Sequence, residues 1–418
     1  MKKKLLLVCA LALCAAMLTS CSALPVALSN MVSKGVVSAV STQEESGDTV
    51  TISREEYEQY QKLSMLLEMK EIVDEYYYED VDETNMLQGA AAGLLAGVGD
   101  NYTFYYTPEA FQDMWDDDEG EYAGVGLLIS SNYTTNICTI IRVFDGTPAQ
   151  KAGVRKGDIL YQVEDVIVNP STLQEAVDIM RGTPGTDVNV TFLRGDEKIE
   201  LTMTRAIVNV TRVESTMLPD QVGLITLYEF AGDCDVKFKE ALDRLTSEGM
   251  KALIIDLRDN PGGWVSQAEF IADLFLDEGV IYSTQYKEGD PVYTYSRDGK
   301  VDVPLVILHN GESASASEIL TGALTDRAGA TTVGTQSYGK GIIQAVLPVG
   351  RDGSGMQVTI AQYFTPNDRA VHKVGFAPDV EVALEEGDVG LYELGDLQDP
   401  QLKKAHEVAL EKIQGTQE

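Results

Sequence analysis

Apolar positions recur at helical spacing early in the chain. Ser53-Arg54-Glu55-Glu56, a Ser followed three places later by Glu, has the form of a capping box. The helix it opens carries Tyr57, Tyr60, Leu63, Leu66, Leu67 and Ile72. A second helix is predicted over Asn85–Val98, closed by Gly99-Asp100-Asn101. From Gly124 to about Arg205 the pattern changes to short strands. Gly124-Val125-Gly126-Leu127-Leu128-Ile129 is a glycine turn entering one, and Cys138–Val143 is a second. Thr147-Pro148-Ala149 opens a short helix ended by Gly153, and Gly157-Asp158-Ile159-Leu160 leads into another strand. Ser171–Arg181 reads as a helix with Leu173, Val177 and Met180 on one face, and Val188–Leu193 with Ile199–Met203 forms a hairpin around Gly195-Asp196. Beyond Val222, strands alternate with helices, an α/β pattern. Strands are predicted at Val222–Leu227, Ala252–Leu257, Leu305–His309, Thr331–Gly334, Gly341–Val346 and Gln357–Tyr363, with helices at about Ser315–Asp326 and Pro400–Ile413.

The first residues follow a different logic. Met1–Lys4 is basic, and Leu5–Leu18 is an apolar stretch too short to span a bilayer comfortably, as in the core of a secretory signal. Leu18-Thr19-Ser20-Cys21 resembles a bacterial lipobox, which implies cleavage before Cys21 and a diacylglycerol anchor on its thiol. A plain signal with a chance Cys is the alternative. Ser22 to about Asp48, rich in Ser, Val and Thr, reads as a tether. Of the five cysteines, only Cys138 and Cys234 lie beyond Cys21. Two buried thiols are expected there, with one disulfide as the alternative.

Charge excludes several partners. The net charge of −34 argues against nucleic acid and against polybasic docking on anionic lipid. Three histidines, His309, His372 and His406, never form H-E-x-x-H, so no zinc-protease site and no metal are expected. The acidic run Asp113–Glu121 has no EF-hand spacing and is read as a solvated loop.

The candidate chemistry lies after Leu305–His309. Ser313-Ala314-Ser315-Ala316-Ser317-Glu318-Ile319 sits at a strand-to-helix junction, where unsatisfied N–H groups and the helix dipole favour a developing anion. The same string is also a capping box. Lys340, in Tyr338-Gly339-Lys340-Gly341, becomes a general base only if burial lowers its pKa from about 10.4 toward 7–8. Arg258-Asp259-Asn260-Pro261-Gly262-Gly263 is a turn whose glycine N–H, paired with that of Ala316, could form an oxyanion hole. Three other patterns cross this stretch. Gly334 to Lys340 reads G-x-x-x-x-G-K, but Gly341 stands where a P-loop needs Ser or Thr. Ser337-Tyr338-Gly339-Lys340 reads S-x-x-K without the partner motifs of penicillin-binding proteins. A triad of Ser315 with His372 and Asp368 or Asp379 has nothing in the sequence to assemble it.

Gly124 to about Arg205 resembles a PDZ domain, on the glycine entry, P-A-x-x-A-G-V (Pro148 to Val154) and G-D-I-L (Gly157 to Leu160). That implies a C-terminal peptide added beside Leu127–Ser130, its carboxylate on the turn of Gly124, Val125, Gly126 and Leu127, with Leu128 also in contact. L-R-D-N-P-G-G (Leu257–Gly263), N-G-x-S-A-S-A-S-E-I (Asn310–Ile319) and Y-G-K-G-x-x-Q (Tyr338–Gln344) together resemble the carboxyl-terminal processing proteases, Ser-Lys peptidases with a PDZ domain. The resemblance runs from about Tyr57 to the C-terminus. It implies Ser315 as nucleophile, Lys340 as base, Gln344 orienting the Lys340 amine, and Ala316 with Gly262 or Gly263 as oxyanion donors, with no cofactor. His309 departs from the pattern, which has an aliphatic residue there.

The implied architecture is an α/β protease core (ClpP/crotonase-like), an inserted β-rich PDZ domain with two helices, and a helical N-terminal region. Its expected segments are a lipoprotein signal peptide (1–20), a tether (21–52), the N-terminal helical region (53–120), the PDZ domain (121–206), the Ser-Lys protease domain (207–385) and a C-terminal helical tail (386–418). The implied function is a lipid-anchored serine endopeptidase on the extracytoplasmic face of a bacterial membrane, cleaving C-terminal tails of extracytoplasmic or membrane proteins. A homo-oligomeric state stays open. The alternative is a catalytically silent PDZ tethering lipoprotein.

Overall fold

The computed structural model describes residues 51–132, 135–297, 301–384 and 392–415. The signal segment, Cys21 and nearly all of the tether lie outside them. No helix among the described residues is long and apolar enough to cross a membrane. The chain divides into two units, residues 1–81 and 82–418. In the first, α1 (Arg54–Tyr76) carries the expected box: Glu56 N–H donates to Ser53 Oγ at 3.1 Å, and Ser53 N–H to Glu56 Oε2 at 2.7 Å.

The second unit begins with α2 (Glu83–Ala96), capped by Asp82, then β1 (Phe104–Tyr106) and α3 (Pro108–Glu119). The acidic run is therefore not a loop. Pro108 opens a helix whose first turn is held by Ala110 N–H on Thr107 Oγ1, and Phe111, Met114 and Trp115 fall on one face.

The predicted PDZ strands form a sheet in the order β3 (Leu127–Asn132), β4 (Ile137–Val143), β5 (Ile159–Val163), β7 (Asp187–Arg194), β8 (Glu197–Thr204), with β6 (Val166–Ile167) beside β5. Its helices are α4 (Pro148–Ala152), ended by Gly153 at φ 87°, and α5 (Leu173–Met180). Cys138 lies in its core. β2 (Glu121–Gly124) pairs with β9 (Ala206–Asn209), joining the two ends of the insertion.

The core sheet runs β10 (Val213–Leu218), β11 (Val222–Leu227), β12 (Ala252–Asp256), β15 (Leu305–His309), β16 (Thr331–Gly334), β19 (Val380–Glu381), parallel from β11 onward. Alternate residues face opposite layers. Ile225, Leu253, Ile255 and Ile307 pack with α6 (Cys234–Ser247), α7 (Val265–Asp273) and α8 (Ala316–Ala328). Leu224, Ile254, Val306 and Leu308 pack on α9 (Pro400–Gly415), through Leu402, Ala405 and Ala409. Burial on both faces explains the unbroken apolar runs. The C-terminal helix is thus part of the core. A second sheet joins β1, β18 (Gly355–Phe364), β13 (Gly279–Tyr286) and β14 (Val292–Ser296), with β17 (Ile342–Pro348) on the other side of β18. Cys138 and Cys234 are free and buried; burial pushes the Cys234 thiol up to about 12.

Candidate active site

β12 and β15 are parallel neighbours, so the loops after them leave the same end of the sheet. One carries Asp259–Gly263, the other Asn310–Ser315. Asn260, fully buried, stitches the two together. Its carbonyl accepts Ala314 N–H and Ser317 Oγ, both at 3.0 Å, and its amide donates to Leu227 O at 2.7 Å.

Ser315 is buried at the N-terminus of α8 with φ 56° and ψ −113°. A non-glycine residue held there stores about 1–3 kcal/mol of backbone strain. The surrounding hydrogen bonds hold it. Ser315 N–H donates to Glu318 Oε2 at 3.1 Å, and Lys340 N–H reaches the same oxygen at 2.8 Å. Glu318 Oε1 accepts Ser337 Oγ at 2.6 Å and Gly339 N–H at 2.8 Å. One buried carboxylate thus fixes both the serine turn and the lysine turn. Burial raises its pKa, and these donors offset part of the rise. Buried Tyr363 adds a second tie: its hydroxyl lies 3.1 Å from the carbonyls of both Ser315 and Lys340.

The Lys340 amine lies over the ring of Tyr102, 4.6 Å from its centre. Burial lowers its pKa, while Asp100 and Glu318 act in the opposite direction. No hydrogen bond joins that amine to the Ser315 hydroxyl here, though both residues line one cavity of about 700 Å³. Gln344 lines it too, but the expected contact with the Lys340 amine is not made. A register shift between Ile343 and Gln344 sets Gln344 opposite Thr359, and its amide donates to Thr359 Oγ1 at 3.4 Å.

The two candidate oxyanion glycines separate. Gly262 N–H donates to Asn260 Oδ1 at 2.9 Å, so it is not available to a substrate. Gly263 forms a parallel bridge with Phe230, made by Phe230 N–H on Gly262 O and Trp264 N–H on Phe230 O. The Gly263 N–H therefore points the opposite way, and Gly263 lines the cavity. Ala316 N–H, at the first helical position, has no acceptor among the described residues. Gly262 is needed for space: a Cβ there would lie 2.7 Å from Ala314 O and 2.8 Å from Ser315 Cβ.

Val125, Leu127 and Leu128 of the PDZ glycine turn and β3 line the same cavity, facing Val177 and Met180 of α5. Gly126, at φ 90°, packs against Thr147 so closely that a Cβ would meet it at 2.4 Å; Gly124 pairs with Ala206. β3 is an edge strand.

The competing patterns do not assemble. His372 does not line the cavity, Asp379 is bonded to Thr332, and Lys340 is followed by a strand rather than a phosphate-binding helix.

A PDZ domain model matches residues 139–194, and the model of peptidase family S41 matches residues 221–382. A carboxy-terminal-processing protease of Bartonella bacilliformis is 33% identical over 334 residues, 77% of this chain and 75% of that protein. The chain belongs to this protease family. A carboxyl-terminal-processing protease of Synechocystis is 36% identical over 293 residues, 68% of each chain. The solved photosystem II D1 C-terminal processing protease is 26% identical, with TM-score 0.61 over 84% of this chain and all of that one. The protein is a C-terminal processing serine protease with a PDZ domain.

Two features of the candidate site are not visible in the sequence. Glu318 reads as a capping residue, and its bonds to Ser337, Gly339 and Lys340 cross a long stretch of chain. Lys156 of the PDZ domain pairs with Asp259 at 2.6 Å, at the start of the candidate oxyanion loop. Burial alone would raise the Asp259 pKa, and Lys156, Asn310 and Arg258 together more than offset it.

Proposed function

We propose that Ser315 and Lys340 are the nucleophile and general base, and that tails are cut while held on the PDZ domain. The observation that carries this reading is one cavity shared by Ser315, Lys340, Gly263 and the edge of β3. An extended C-terminal tail adds to β3. The Ser315 oxygen attacks the scissile carbonyl carbon as the neutral Lys340 amine takes its proton. The carbonyl oxygen becomes an anion between the N–H groups of Ala316 and Gly263, each donor worth about 3–4 kcal/mol. Collapse breaks the C–N bond, and the leaving amine takes the proton from Lys340. Water, deprotonated by Lys340, then hydrolyses the Ser315 ester.

The proposed setting is the extracytoplasmic face of a bacterial membrane, with tails of extracytoplasmic or membrane proteins as substrates. The basic start, the apolar Leu5–Leu18 and the Cys after Leu18-Thr19-Ser20 support a lipid anchor on Cys21. In Cys21→Ser the protein should lose incorporated fatty acid and leave the membrane fraction; unchanged fractionation rules out the anchor. Lys340→Ala should abolish cleavage of an unstructured peptide. Cleavage at the wild-type rate would falsify the Ser-Lys mechanism.

A further inference from the structure

Two strand edges without a partner among the described strands border the cavity. β3 is one; β17 is the other, pairing only with β18 among the described strands. β18 uses its opposite side for β1 and β13. The hydrogen bonds give the direction of each main-chain group on β17. Tyr363 N–H donates to Gly341 O at 3.1 Å, which makes Ile342 and Gln362 a pair not bonded to each other. The N–H and C=O of Ile342 therefore point away from β18. Past the register shift, Thr359 faces Gln344, yet its N–H donates at 3.1 Å to Thr103 Oγ1, just before β1 and on the far side of β18. Gln344 thus also points outward, and alternation extends this to Val346. The series ends at Pro348, which has no N–H. Ile342, Gln344 and Val346 are also cavity-lining residues, and the strand begins just after Lys340.

We propose that this edge is the acyl-side subsite: the substrate segment upstream of the scissile bond pairs, as an added strand, with the outward N–H and C=O groups of Ile342, Gln344 and Val346. The inference rests on the proteolytic reading given above. Backbone groups in a largely apolar cavity require partners, and an extended peptide supplies them at the matching spacing. The division of labour follows from the chemistry. The downstream product leaves with the PDZ edge, whereas the upstream product stays esterified to Ser315 and needs a separate hold until water attacks. Recognition through main-chain groups makes the upstream segment tolerant of sequence.

The test uses the full-length enzyme and a synthetic unstructured peptide whose single cleavage site is mapped by mass spectrometry. Each upstream amide is N-methylated in turn. KM is expected to rise about tenfold at alternate positions, with little change between them. Val346→Pro removes one outward N–H and no ladder N–H; it is expected to raise KM for the unmodified peptide by a similar factor. A flat N-methyl profile overturns the subsite. Acylation by para-nitrophenyl acetate, read as a burst lost in Ser315→Ala, separates the two levels. A flat profile with an intact burst removes only the subsite, and no burst with no peptide cleavage removes the proteolytic reading and the subsite with it.

Discussion

The Nζ of Lys340 lies 4.6 Å from the centre of the Tyr102 ring. A ring face favours the charged amine by about 0.5–2 kcal/mol, which opposes the neutral form a general base requires. Tyr102→Leu should therefore lower the Lys340 pKa further, by roughly half to one and a half units. The acid limb of the kcat/KM profile should move to lower pH by the same amount. An unmoved limb would show that the ring does not govern this amine.

Glu318 holds the serine and lysine turns with four accepted hydrogen bonds. Glu318→Gln turns an amide N–H toward some of these donors. Stability should fall by about 3 kcal/mol or more. kcat should fall about a hundredfold through misplacement of Ser315 and Lys340. Denaturant melts and steady-state kinetics check both, and wild-type kcat in a folded variant would refute the positioning role.

The Gly262 N–H is taken up by Asn260, and the missing Cβ leaves room for Ser315. Gly262→Ala should destabilise by about 2–4 kcal/mol, through strain at φ 102° and overlap with Ala314 and Ser315. A crystal structure of the variant should show the Ser315 turn displaced. Retention of both activity and the turn would contradict the close-packing argument.

His309 is fully buried, neither ring nitrogen has a hydrogen-bond partner among the described residues, and burial lowers its pKa to about 4. The ordinary value is about 6.5, so between these values the unfolded chain binds the extra proton and stability rises with pH. His309→Leu removes that term. The variant should gain about 2 kcal/mol more at pH 5 than at pH 8. Urea melts at the two pH values decide it; an equal gain at both would place the titration elsewhere.

The sequence was most legible where one short run fixed the structure. Leu305–His309 and Thr331–Gly334 are strands with the expected ends, because apolar runs buried on both faces and bounded by turns leave little choice. Asp113–Glu121 reads as a loop only because its charge masks the stripe of Phe111, Met114 and Trp115. At the site, Ser315 and Lys340 were recognisable as motifs. The choice between Gly262 and Gly263 was not, since it depends on a bridge to Phe230 made far along the chain. The role expected of Gln344 depended on strand register, which local pattern does not specify.

A space of about 700 Å³ bordered by two strand edges cannot admit a folded domain. On the proposed reading, entry requires a segment already unravelled over several residues. On the proposed reading, the choice of victim is made largely by the victim's own fraying, and a well-anchored end protects a protein whatever its final side chains.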